Sequence, residues 1–217
     1  MTIRALSCAT AFVLGLVPGF SEMIPSSSPV TIVYRFEGPV PEPVLREMKD
    51  ATQVLLEHSS LRLEWRNRAE ITSSDRLEKL IVVTFLGLCG AGPGDSAGND
   101  DQPLGRARVV DGVVLPFVEI ECGRVQTLLR AASWQRVHDP DLVLGRALAR
   151  VLAHELYHVM ARTTSHSRGG VAKPVLTGND LVSSSLALAP ADIDRMRFPQ
   201  QPPLPAHLAR PGLAFVP

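Results

Sequence analysis

Five consecutive residues, His154-Glu155-Leu156-Tyr157-His158, carry the sharpest chemistry in the chain. On an α-helix, residues four apart stack on one face, so the imidazoles of His154 and His158 can reach a single metal ion. Glu155 lies about 100° further round and can approach a metal-bound water without becoming a ligand. Histidines at this spacing, with a glutamate between them, point to zinc and to the glutamate as general base. A catalytic zinc takes three protein ligands and leaves a fourth position for water. The third is expected from His166, eight residues past His158 and followed by Gly169-Gly170, which let the chain fold back. Asp180 is the alternative, because carboxylates also ligate zinc. His58, His138 and His207 fall on other elements and read as surface residues. Tyr157 points off the helix beside the motif and is given no catalytic role.

A long helix must hold this motif. Asp139 is placed to cap it, Pro140 suits its first position, and Asp141 suits its positive end. The helix is expected to run to about Arg162. Upstream, Val30–Phe36 alternates and reads as a strand. The spacing of Val44, Leu45, Met48, Thr52 and Leu55 predicts a helix over 43–58, and Leu61–Trp65 is a short strand. The near-continuous apolar run Leu80–Leu86 predicts a strand buried on both faces. Residues 90–105 form a glycine-rich loop whose Asp and Asn oxygens are of the kind calcium takes. Lacking the fixed spacing of a calcium loop, they read as a solvated turn. Asp111-Gly112 joins Arg106–Val110 to Val113–Glu121 as a hairpin. Pro116 fits an edge strand, so Val113–Glu121 is the expected edge for an added peptide strand. Residues 163–189 read as irregular, and Ala191–Arg197 as a short final helix.

Composition narrows the classes. The 217 residues carry 22 Lys+Arg against 22 Asp+Glu, so the balance is neutral and a dedicated nucleic-acid binder is excluded. With 45% apolar and 20% charged residues, the bulk of the chain is globular. Residues 1–21 place Arg4 before an apolar run of about 13 residues, too short for comfortable spanning, and read as a secretory signal peptide. Residues 22–29 are a linker, 30–198 the catalytic domain, and 199–217 a proline-rich tail. Cleavage removes Cys8, one of three cysteines, and leaves Cys89 and Cys122 as a disulfide pair in an oxidising compartment.

The motif helix, the downstream histidine and the preceding order of strands and helices resemble the metzincin clan of zinc-dependent metallopeptidases over roughly 30–198. The resemblance implies an α+β single domain, with a twisted mixed sheet of about five strands and two long helices, the second carrying the motif. It implies a secreted zinc metalloendopeptidase acting on peptide or protein substrates, with Zn2+ as cofactor. His154, His158 and His166 would be its ligands and Glu155 its general base. Metzincins carry H-E-x-x-H-x-x-G-x-x-H. Here Ala161 stands at the glycine position and Thr164 at the third histidine, so His166 comes two residues late and a wider turn is expected. Leu188–Met196 resembles the closing helix of matrixin-like members, so Met196 is not the methionine-turn residue. The alternative reading is a zinc-binding protein of this fold with little hydrolytic activity. A monomer without stable membrane insertion after signal cleavage is the default.

Overall fold

A computed structural model describes residues 29–77, 79–90, 102–132 and 139–197. The signal segment, most of the 90–105 loop and the proline-rich tail therefore lie outside the described residues. The elements follow as β1 (Val30–Phe36), α1 (Glu42–Leu55), β2 (Leu63–Asn67), β3 (Leu80–Leu86), β4 (Gly105–Val110), β5 (Val113–Glu121), α2 (Cys122–Ala131), α3 (Pro140–Ala161), α4 (Gly178–Val182) and α5 (Pro190–Arg197). Two helices were missing from the sequence reading, α2 and the five-residue α4. The ten-residue α2 stands between α1 and α3, and α3 carries the motif.

The five strands form one mixed sheet in the order β2-β1-β3-β5-β4. β1, β2, β3 and β5 run parallel, and β4 returns antiparallel to β5. The edge beside the motif helix is thus β4, and β5 is an interior strand, contrary to the sequence expectation. Pro116 is tolerated there for two reasons. It precedes Phe117, the first β5 residue paired with β3, and it faces the register shift between Ala107 and Val109 of β4. The turn came out as read: Asp111 and Gly112 both take positive φ, 51° and 77°, as a two-residue hairpin with matched twist requires.

The burial of β3 alternates, with Ile81, Val83 and Phe85 inside and Val82, Thr84 and Leu86 only half buried. The expectation of a strand buried on both faces is corrected accordingly. The main core gathers Ile32, Tyr34, Val83, Phe85, Val118 and Ile120 of the sheet with Val44 and Met48 of α1. Against these pack Leu144, Leu148 and Leu152 of α3. Each such side chain contributes roughly 1.5–3 kcal/mol by leaving water. α3 is almost wholly interior: between Leu144 and His158 only Arg146 is exposed, and it pairs with Glu47 of α1 at 2.6 Å. A helix apolar all round belongs inside a protein, so every polar group it carries there needs a partner.

Candidate metal centre

α3 begins as its sequence dictates, with the Asp139 side chain accepting from the Leu142 N–H at 3.2 Å and Pro140 at the first position. It ends at Arg162, which takes the left-handed conformation (φ 50°) one residue beyond Ala161. With alanine at 161, the helix continues through the position where the metzincin pattern has glycine. The Thr163 N–H then closes on His158 O at 3.1 Å.

His154 and His158 are buried, each 8% exposed, and both rings are fixed from behind. His154 Nδ1 donates to Val171 O at 2.8 Å, and His158 Nδ1 donates to Thr163 O at 2.7 Å. These carbonyls lie on either side of His166, so the two helix histidines grip the loop that carries the third. The loop bends back as expected at Gly170 (φ 71°), where a Cβ would stand 2.5 Å from Ala187 O. His166 itself is solvent-facing. Its ring centroid lies 5.2 Å from that of His154 and 4.7 Å from that of His158.

The donor set fits zinc. With each Nδ1 spent on a carbonyl, each Nε2 presents a lone pair, the second-sphere arrangement that orients metal-binding imidazoles. The two Nε2 atoms stand 3.1 Å apart, close to the roughly 3.3 Å between two nitrogens on one tetrahedral zinc. One nitrogen from each of the three histidines falls within 4.8 Å of the others. Burial pushes His154 down to about 4 and lowers His158, against the opposing pull of their carbonyl bonds. Both are therefore neutral near pH 7, the ligand form of imidazole.

Asp180, the alternative third ligand, does not join them. Its Oδ2 accepts from the Thr177 N–H at 2.7 Å and from Thr177 Oγ1 at 2.6 Å, while Lys173 Nζ sits 2.6 Å from Oδ1. It closes a capping box on α4, a signal that Thr177-x-x-Asp180 already carried in the sequence. Met196 is buried on α5 and lines a separate cavity with Val30, Ile81 and Val159. His58 stands exposed on a short 3₁₀ turn. His138 and His207 lie outside the described residues.

Glu155 is 4% exposed and accepts from the Ala107 backbone N–H of β4. Burial outweighs that bond and pushes the carboxyl up to about 7. Gly105 makes the approach of β4 possible: a Cβ there would sit 2.9 Å from Val151 Cγ1 and 3.0 Å from Glu155 Oε1. Beside Glu155 and His154 opens a cavity of about 570 Å³, walled by Leu104, Leu128, Val151, Val175 and Leu176. Cys89 and Cys122 are disulfide-bonded, Cα to Cα 5.1 Å, fastening the start of α2 to the chain just after β3. No helix among the described residues is long and apolar enough to cross a membrane.

No family model matches the chain, and no curated protein matches it in sequence. Solved structures do. Archaemetzincin from Methanopyrus kandleri superimposes with a TM-score of 0.51 at 13% identity, covering 81% of this chain and 97% of that one. A zinc-dependent peptidase from Methanocorpusculum labreanum gives 0.52 at 10% identity, covering 76% and 99%. At such identities the likeness is one of fold.

Proposed function

We propose that the chain is an exported zinc metallopeptidase. The observation that carries this reading is the convergence of three histidine nitrogens, two with fixed outer bonds, beside a buried glutamate in a cleft. His154, His158 and His166 would hold the ion, which when bound brings the pKa of a water to about 7 and polarises a carbonyl. Glu155 takes the proton of the attacking water and returns it to the amine nitrogen that leaves. The open edge of β4 offers main-chain groups to an extended peptide, and the cavity beside Glu155 accepts an apolar side chain of that peptide. Arg195 Nη1 lies 3.2 Å from the Tyr157 hydroxyl, and this bond faces α5, so Tyr157 takes no part in the chemistry. Export is supported by the apolar segment before the linker and by the Cys89–Cys122 bond.

Glu155→Gln decides between hydrolysis and zinc binding alone. The variant is expected to retain about one equivalent of Zn2+ and to lose about 10²- to 10⁴-fold in cleavage of an unstructured protein substrate. Wild-type protein that holds zinc yet cleaves nothing, or a variant that cleaves at the wild-type rate, would rule the mechanism out. Export is checked by sequencing the N-terminus of protein recovered outside the cytoplasm, expected to begin near residue 22.

A further inference from the structure

The loop that carries His166 is tied to α5 at the very next residue. Ser167 Oγ donates to Asp192 Oδ1, and the Ser167 N–H donates to Ala172 O at 2.8 Å. Asp192 is fully buried in the first turn of α5, where the positive end of the helix favours a carboxylate. Its Oδ2 is buried without a hydrogen-bond partner among the described residues. Arg195 reaches the same point from the next turn. Its Nη1 lies 3.4 Å from Asp192 Oδ1 and 3.5 Å from Ser167 Oγ, besides its contact with Tyr157 Oη. Tyr157 belongs to the motif, and its ring centroid is 5.4 Å from that of His158. A chain of polar contacts thus leaves α3 between Glu155 and His158, crosses α5, and returns at the residue after His166.

A carboxylate with one oxygen unsatisfied is an unfavourable way to fill an interior, where an apolar group of the same shape would do as well. Asp192 does what an apolar group could not do, accepting a charge-assisted hydrogen bond from a loop residue. His166 needs such an anchor more than its partners. His154 and His158 ride on a buried helix and have carbonyls behind them, whereas His166 is exposed on irregular backbone.

We propose that Asp192 and Ser167 form a positioning pair that sets where His166 stands in the three-histidine group. This rests on the zinc reading above. Ser167→Ala removes one hydroxyl from a half-buried residue. It is expected to weaken Zn2+ binding by the full chain about 10- to 100-fold in competition with a chromophoric chelator. The visible spectrum of the Co2+-loaded variant should move toward that of His166→Ala. In the His166→Ala background the serine substitution should cost no further affinity, because both act through one ligand. Asp192→Asn, which keeps an acceptor oxygen, should recover most of the affinity lost in Asp192→Ala. Unchanged affinity and Co2+ spectrum in Ser167→Ala overturn the inference, as does a loss that persists in full without His166. Wild-type protein that takes up no Zn2+ would sink the zinc reading and this inference together. Zinc-binding wild type with an indifferent Ser167→Ala sinks the inference alone.

Discussion

His154 and His158 each use both ring nitrogens, one toward the other histidines and one toward a carbonyl of the loop they help to hold. The side chains of the site were legible because their types and spacing are themselves the signal. The Val171 and Thr163 carbonyls and the Ala107 N–H were not, since every residue has such groups and only the fold chooses among them. Gly105 belongs with these: nothing in the sequence marks it off from the other glycines of its loop. Gly105→Ala is expected to destabilise the protein by about 1–3 kcal/mol, because the new methyl must displace Val151 or Glu155. Thermal denaturation measures that loss. Turnover should fall while Zn2+ content stays at the wild-type level. A variant as stable and as active as wild type would contradict the tight approach of β4.

α3 positions far more than its two histidines. Its buried polar side chains tie it to the elements around it. Arg150 donates to the carbonyls of Leu181 and Ser183 at the end of α4, and Glu155 accepts from β4. His154 and His158 hold the loop between. This helix was readable from its cap, its proline and its length. α2 was not, because a ten-residue helix is weak alone. It is held by the disulfide and by Gln126 Nε2 donating to Leu88 O at 3.0 Å, contacts remote in sequence. α4 depends on its capping box. Burial alone would raise the Asp180 carboxyl, but its bonds to Lys173 and Thr177 outweigh it and hold the group below its usual value. A depressed folded value adds stability above the unfolded pKa, and that stability is lost as pH falls through the folded one. Amides of 177–182, corrected for intrinsic rates, should therefore exchange progressively faster below about pH 4. Asp180→Asn should flatten that dependence, and an equal acid response in both proteins would remove Asp180 as its source.

Over the molecule as a whole, the order of the strands and of α1, α3 and α5 was legible and the lateral order of the sheet was not. Proline in β5 pointed to an edge, yet the bulge opposite it lets an interior strand carry one. The Cys89–Cys122 bond closes a loop with a sequence separation of 33. Replacing both cysteines by serine is expected to lower stability by about 3–4 kcal/mol in denaturant titrations. A double variant as stable as wild type would show that the bond contributes nothing to the fold. One further property follows from β4 standing at the rim. A strand left free to take up an extended chain is equally free to take up a second β4, the route by which soluble proteins polymerise edge to edge. The irregularity between Ala107 and Val109 breaks the register a ribbon needs, and Arg106 and Arg108 set charged side chains along the strand. The same six residues that leave the rim receptive to a foreign strand thus make it inhospitable to their own kind.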